Sequence, residues 1–392
     1  MAADYIQGSV PHEIEIADAS NNTGEFPAAR VQDFPLMTTK LPVGRPATAS
    51  DVAKLAKVSQ SAVSRTFTPG ASVSDTTRAR VLAAAVQLNY TPNHLARSLS
   101  TQHSKIVGVA LTYLDNQFYP QVLQCLSDEL GKAGYRVLLF ITHGRSEADP
   151  ALEELLRYRV DALILASTSL SSRLAAECAR VGVPVVMFNT IGADSTTPGI
   201  SGSNELGGRT IASYLVAGGH QRFAFLAGAG ESSTTREREH GFVNRLAELG
   251  HARLFREKGY YTFEGALAAT RCLLKRAKRP DAIFCANDHM AMAALQVARI
   301  EFGLEPGRDV SIVGFDDVDI ARWPGFSLTT YSQPVTAMVA ETIRILRQLL
   351  AGRAPTSLRT QVPGRLIVRG SARQPTSGIR RDEAGIAFWE DV

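Results

Sequence analysis

The chain of 392 residues holds only four cysteines, Cys125, Cys178, Cys272 and Cys285, far apart and without a C-x-x-C pair. That spacing argues against a disulfide framework or a cysteine zinc site and fits thiols in a reducing compartment. The eight histidines are scattered, with neither an H-E-x-x-H run nor a paired-ligand spacing, so no metal site is expected. No GxxxxGKS or GxxxxGKT run occurs, and GAGESS (228–233) lacks the third glycine of G-x-G-x-x-G. No cofactor is expected, and an NAD-type enzyme stands only as an alternative. Apolar runs of about 18 residues are absent, and residues 1–43 lack a basic stretch followed by an apolar one. The expectation is a cytoplasmic protein with no membrane partner.

Charge is little in excess overall, at a net +4, but it is unevenly placed. Residues 1–43 carry Arg30 and Lys40 against six acidic residues, a net −4, and are rich in Ala, Asn, Thr and Pro. They read as a disordered N-terminal extension, and Met37 is a candidate for the true start. Residues 44–105 carry eight Lys or Arg against Asp51 and Asp75, a net +6. A concentrated positive segment suits phosphate neutralisation on a nucleic acid.

Inside that segment, TASDVAKLAKVSQSAVSRTF (Thr48 to Phe67) carries two helix-capping residues, Thr48 and Ser59, eleven positions apart. Val52, Ala53, Leu55 and Ala56, then Val63 and Phe67, fall at helical spacing and can pack two short helices together. Gln60, Ser61, Ser64 and Arg65 are left facing outward. Glutamine and arginine can make paired hydrogen bonds to adenine or guanine edges, each worth about 1–3 kcal/mol of base discrimination. An ordinary αα-hairpin on a globular surface gives the same pattern. Ser74 reads as the cap of a third helix, whose Val81, Leu82, Ala85, Val86 and Leu88 can close a three-helix headpiece over residues 44–91.

The run DVAKLAKVSQSAVSR, followed by LNYTPN (88–93) and HLARSLS (94–100), resembles the N-terminal signature of the LacI-type (lactose-repressor) transcription regulators. The resemblance implies double-stranded operator DNA as partner, with Thr48, Ser59, Gln60, Ser61, Ser64 and Arg65 at the DNA. It also implies a hinge helix within residues 92–104, where Asn93, His94, Ala96, Arg97 and Leu99 meet the minor groove and Leu99 acts as a wedge between base steps. A buried linker leucine is the plain alternative for Leu99. Two positions depart from the family: Lys57 stands where a corner glycine is common, and Ala62 where threonine is frequent. A left-handed Lys57 costs on the order of 1 kcal/mol relative to glycine.

From Lys105 the sequence alternates short apolar runs with helical ones. Strands are predicted at 105–111, 135–141, 161–166, 184–189, 222–228, 281–288, 310–317 and 365–370. Helices are predicted near 120–132, 150–158, 172–181, 205–217, 236–249, 263–276 and 289–302. Such alternation means parallel sheets covered on both faces. The expected fold is a small all-α helix-turn-helix headpiece plus a two-lobed α/β core of two parallel-sheet, Rossmann-like subdomains. By resemblance, that core is similar to periplasmic sugar-binding proteins.

The core is expected over residues 105–370, with an N-lobe of 105–203 plus 333–352 and a C-lobe of 204–332 plus 353–370. Residues 371–392 read as a C-terminal tail, and Ser327 replaces a proline frequent in the family before LTT (328–330).

In open α/β sheets ligands bind beyond the carboxyl ends of the strands, which selects Asp115, Phe118, Asn189, Asn287 and Asp316, with Asp288 and Asp317 as neighbours that can equally cap helices. The resemblance adds Arg238 and Tyr261, and places an effector between the lobes. Carboxylates, carboxamides, an arginine and aromatic faces suit a sugar, sugar acid or similar polyol. A homodimer follows from the affinity that two half-sites give. Val122, Leu123, Leu126 and Leu130 can form part of its interface or lie within the lobe. The sequence thus reads as an effector-controlled DNA-binding regulator, most simply a repressor, with a solute-binding protein as the alternative.

Overall fold

The structure is a computed structural model that describes residues 45–68, 70–92, 103–112, 114–141, 157–166, 171–191, 196–230, 232–251 and 253–391. The chain divides into two compact units, the first ending at Pro92 and the second beginning at Asn93. The N-terminal extension, the hinge residues 93–102 and most of the helix expected near 150–158 lie outside the described residues.

In the first unit, α1 (Ala49–Ala56), α2 (Gln60–Thr66) and α3 (Asp75–Gln87) surround a small core of Val52, Ala53, Ala56, Val63, Val81, Ala84 and Ala85. A reciprocal capping box opens α1. Asp51 N–H donates to Thr48 Oγ1 at 3.3 Å, and Thr48 N–H donates to Asp51 Oδ2 at 2.9 Å. Lys57 closes α1 in the left-handed conformation with φ 52°, its N–H returning to the carbonyls of Ala53 and Lys54. Arg80 donates to the Ala56 and Lys57 carbonyls and Arg78 to the Thr66 carbonyl at 3.0 Å, so two arginines of the basic segment satisfy helix C-termini.

The expectation that Leu82 and Val86 close this core is not met: they are 45% and 83% exposed. The buried stripe of α3 runs through 81, 84 and 85, and at 100° per residue positions 82 and 86 fall outside it.

The second unit holds two sheets. The N-lobe sheet has six strands in the order β11-β5-β4-β3-β1-β2, all parallel: β1 (Ile106–Leu111), β2 (Arg136–Ile141), β3 (Ala162–Leu165), β4 (Val185–Phe188), β5 (Gly199–Gly202) and β11 (Arg359–Val362). Helices α4 (Phe118–Lys132) and α5 (Ser171–Arg180) belong to this lobe. Val122, Leu126 and Leu130 of α4 are buried and Leu123 half-buried, so these side chains pack the lobe rather than an exposed interface.

The C-lobe sheet has eight strands in the order β13-β14-β12-β10-β9-β8-β6-β7. Its parallel part is β6 (Phe223–Ala227), β7 (Leu254–Lys258), β8 (Ala282–Cys285), β9 (Ser311–Asp316) and β10 (Thr329–Ser332). With it go α6 (Asn204–Ala217), α7 (Ser233–Glu248), α8 (Phe263–Leu274) and α9 (Asp288–Gln296), which runs into a π-helical turn over Val297–Glu301. Helix α10 (Val335–Leu350) returns to pack on α4, β4 and β5 of the N-lobe.

Two expected boundaries change. β11 pairs in parallel with β5, so residues 359–362 belong to the N-lobe and the third passage between lobes falls after Val362. The expected tail is folded: β12 (Leu366–Ile367) pairs antiparallel with β14 (Ala387–Trp389), which pairs with β13 (Ile379–Arg381). Trp389 is buried with its ring edge-on to Tyr214, and its Nε1–H donates to the Ser377 carbonyl at 3.1 Å. An apolar anchor of that size outweighs the acidic character of the last residues. Among the described residues no helix is long and apolar enough to cross a membrane.

Candidate functional site

On the first unit, α2 presents its polar face. Ser59 caps it by accepting from Ala62 N–H at 3.2 Å, and Ser59 Oγ lies 2.9 Å from Ser61 Oγ. Gln60, Ser61, Ser64 and Arg65 are all exposed, as are Thr48 and Ser59, while Val63 and Thr66 on the opposite face are buried. An exposed seven-residue helix with glutamine and arginine on one side can enter a major groove. Asn93, His94, Ala96, Arg97 and Leu99 lie outside the described residues.

In the second unit, the carboxyl ends of the two sheets face an open cleft of about 590 Å³ counting the solvent in its mouth; clefts at this place in an α/β fold are where small molecules bind. Thr112, Asn116, Tyr119, Ala166, Asn189 and Thr190 line it from the N-lobe. Ser232, Thr234, Arg238, Tyr261, Asn287 and Asp316 line it from the C-lobe. Asn189, Tyr261 and Asp316 adopt positive φ angles of 55°, 63° and 127°. Strain of about 1–3 kcal/mol at each non-glycine residue is concentrated where side chains must be aimed.

Arg238 is the centre of the site. Glycines let α6 and α7 approach closely: a Cβ on Gly208 would strike the Arg238 carbonyl, and one on Gly241 the Glu205 carbonyl. The buried guanidinium stacks 3.7 Å above the Phe315 ring; its Nε–H donates to Asn204 Oδ1 at 2.9 Å and its Nη1 to the Ala286 carbonyl at 2.5 Å. Nη1 lies 3.6 Å from Asp316 Oδ1, and Nη2 finds no partner among the described residues.

Burial drives the Asp316 carboxyl above the usual carboxylate range, with Arg238 and the Gln333 amide pulling it partway back. Asn287 caps α9 through Oδ1, which accepts from Met290 N–H at 3.0 Å, leaving its buried Nδ2 without a partner among the described residues. Asn189 Oδ1 is likewise buried and unpartnered among them. Tyr261 is fixed by Thr235 at 2.7 Å and Thr234 at 3.1 Å, and burial pushes the Tyr119 phenol above its ordinary value. Across the cleft, Thr190 Oγ1 and Ser233 Oγ are 3.2 Å apart.

Of the residues selected from sequence, Asn189, Arg238, Tyr261, Asn287 and Asp316 meet at the cleft. Phe118 does not: it is fully buried against Phe188, and its neighbour Tyr119 supplies the aromatic wall. The start of α4 turns position 118 inward and leaves position 119 half-buried. Asp115 is exposed outside the lining, with Oδ2 3.8 Å from His289 Nε2. Asp288 is tied to Thr330 Oγ1 at 2.6 Å and Val318 N–H at 3.0 Å, and Asp317 to Arg369 at 2.7 Å, so both serve the fold. Sequence reading missed Ser232 and Thr234, although they follow strand β6 and the strand-end rule applies to them equally.

A Ser311–His220–Asp281 chain was also missed. Ser311 Oγ is 2.8 Å from His220 Nε2, whose Nδ1 is 3.5 Å from Asp281. Ser311 is fully buried at the opposite ends of the strands and its Oγ accepts the Arg373 N–H at 2.8 Å, so no substrate reaches it. The chain ties β8, β9 and the 371–373 segment together. Among the described residues no cluster of three or more metal-ligating side chains occurs.

Comparison with known proteins gives matching family models for both units. Residues 48–93 match that of bacterial regulatory proteins, lacI family, and residues 212–372 that of the periplasmic binding protein-like domain. The ribose operon repressor of Escherichia coli (strain K12) is 32% identical over 330 residues, 83% of this chain and 100% of that protein. The HTH-type transcriptional repressor PurR of Photobacterium profundum is 30% identical over 331 residues, 83% and 99% of the two chains. Among solved structures, the Lac repressor dimer bound to operator and the anti-inducer ONPF aligns with a TM-score of 0.74 at 30% identity, covering 84% of this chain and 100% of that one. A complex of the transcriptional regulator CelR with cellobiose aligns at 0.62 and 28% identity, covering 83% and 100%.

Proposed function

The chain belongs to the lacI family of bacterial regulatory proteins, and from that premise we propose that it is a DNA-binding transcriptional repressor that binds a pseudo-palindromic operator as a homodimer and takes a neutral sugar between its lobes. The observation that carries the reading is the joining, in one chain, of an exposed polar helix on a capped three-helix unit to a cleft lined equally by two lobes.

Gln60, Ser61 and Arg65 read base edges, with Thr48, Ser59 and Ser64 at the phosphates, and residues 92–104 form the hinge that carries Asn93, His94, Ala96, Arg97 and Leu99 to the minor groove. Effector occupancy changes the angle between the lobes, and with it the ability of paired hinges to order on DNA. Coupling of this kind is typically about 1–3 kcal/mol and reciprocal.

The cleft chemistry favours an uncharged ligand over a sugar acid. Among the described residues its charged lining groups are Arg238 and Asp316, which face each other, so among them no excess positive charge remains for a ligand carboxylate. Donors at Arg238 Nη2 and Asn287 Nδ2 and an acceptor at Asn189 Oδ1, all unpartnered among the described residues, match hydroxyls, which both donate and accept. Tyr119 and Tyr261 in the lining supply aromatic surface for an apolar sugar face. The similarity to a cellobiose-bound regulator and to ribose operon repressors supports the same ligand class.

A thermal-shift screen tests this: neutral mono- and disaccharides are expected to raise the melting temperature, and the matching uronic and aldonic acids are not. Stabilisation by the acids alone would refute the neutral reading. Selection of bound duplexes from a random pool is expected to return an inverted repeat.

A further inference from the structure

The two charged groups of the cleft are each held by a residue that lies where the chain passes between the lobes. The first passage follows Gly202, the end of β5, and enters α6 at Asn204; the second follows Ser332, the end of β10, through Gln333 to α10; the third follows Val362. Backbone bonds knit the passages together: Ser203 N–H donates to the Val362 carbonyl at 3.0 Å, and Ser332 N–H to the Arg365 carbonyl at 2.8 Å.

We propose that Asn204 and Gln333 are positioning residues that wire Arg238 and Asp316 to two different interlobe passages, so that a ligand on that pair sets the lobe angle. The inference rests on the proposed effector site. Asn204 is fully buried, accepts from Arg238 Nε–H at 2.9 Å and donates to Glu237 Oε2 at 2.8 Å. Gln333 is buried; its Nε2 donates to Asp316 Oδ1 at 2.7 Å, and its backbone N–H donates to the Asp316 carbonyl at 3.1 Å.

The other end of the Gln333 amide reaches the first passage. Oε1 has no partner among the described residues, and an ideal Cβ on Gly202 would lie 2.6 Å from it. One side chain therefore spans from a ligand-facing carboxylate to the backbone of another passage, with one end satisfied and one end not. A sugar hydroxyl that donates to Asp316 draws on the carboxylate whose Oδ1 the Gln333 amide holds, and a second that accepts from Arg238 Nη2 draws on the guanidinium that Asn204 holds. Neither Asn204 nor Gln333 lines the cleft, so they act through Arg238 and Asp316. A buried amide with one orphan end has two arrangements to choose between, which is what a bistable hinge requires.

The test uses the full chain with a donor dye on exposed Cys272 of the C-lobe and an acceptor on Ser127→Cys of the N-lobe, in a Cys125→Ser background. D-ribose, D-glucose, D-galactose and cellobiose are titrated, reading both the dissociation constant and the change in energy transfer at saturation. Gln333→Met and Asn204→Ser, on separate passages, guard against one variant failing to fold.

For the sugar that wild type binds, both variants are expected to lose more than about half of the transfer change while affinity moves less than about fivefold, whereas Arg238→Ala loses affinity itself. Variants that bind and shift like wild type would overturn the inference and leave the effector site standing. A wild-type chain that binds none of the four sugars removes the reading on which the inference rests, and the inference with it.

Discussion

Arg238 Nη1 and Asp316 Oδ1 stand 3.6 Å apart, both side chains buried, at the carboxyl end of the C-lobe sheet. Each is also held from behind, Arg238 by Asn204 and the Ala286 carbonyl, Asp316 by Gln333. Their outward atoms remain for a ligand, so the pair is prepared before anything binds. Breaking such a buried pair leaves an uncompensated charge, at a cost of about 3–5 kcal/mol. Arg238→Ala is expected to abolish the sugar-dependent thermal shift and to lower stability in urea by that order. A variant that keeps the shift would remove Arg238 from the site.

Asp316 sets a pH dependence. Burial raises its carboxyl, so protonation begins at a higher pH than for an exposed aspartate. A sugar hydroxyl that donates to this carboxylate needs the ionised form, so sugar affinity is expected to rise with pH through the raised value and to fall in acid. Calorimetric titrations over the mildly acidic range check this, and Asp316→Asn is expected to flatten the profile.

Asp281 is shifted the other way, and its pH dependence is one of stability. Burial opposes its ionisation, but the His220 contact and the Arg222 and Gln221 N–H groups prevail and hold it down to about 2. A carboxyl lowered in the folded state contributes stability above its unfolded value near 3.8, lost as pH falls toward about 2. Asp281→Asn is expected to lower melting temperature at neutral pH and to lessen the acid sensitivity in that window. An unchanged acid profile would show that the His220 network carries no linkage.

On the first unit, basic residues differ in role. Arg65→Ala is expected to weaken operator binding by about 1–3 kcal/mol and to relax preference at one base position. Lys54→Ala, exposed on α1, is expected to weaken all sequences alike and to reduce the salt slope by about 1. Arg80→Ala is expected instead to melt the three-helix unit, because it caps the end of α1. Circular dichroism with binding isotherms separates the three.

The C-terminal strands belong to the C-lobe. Trp389→Ala is expected to cost about 3–5 kcal/mol in urea unfolding, the usual loss for a buried tryptophan. A cost near zero would return residues 376–391 to the status of a tail.

Buried strands with a continuous apolar run were legible in the sequence: β1, β4, β6, β8 and β9 fall within the runs KIVGVAL, PVVMFN, RFAFLAG, DAIFCAND and VSIVGFDD. Strands without an apolar run were not. β5 is GISG and β11 is RTQV, and neither carries an apolar signature; pairing with each other makes them strands, and that long-range event moved a lobe boundary. β13 and β14 were missed for the same reason, since Trp389 finds its pocket only in three dimensions. At the cleft, the strand-end rule found Asn189, Asn287 and Asp316, while a shift of one residue in α4 exchanged Phe118 for Tyr119. Asn204 and Gln333 were invisible because their role depends on where the chain crosses between sheets.

The central claim is that one chain couples a sugar in the cleft to an operator at α2. It is tested most directly by measuring operator affinity with and without saturating sugar, and sugar affinity with and without operator, on the full-length dimer. The account predicts that both ratios differ from one and are equal, typically by a factor of about 5–150. A sugar that binds the cleft while leaving operator affinity unchanged would contradict it.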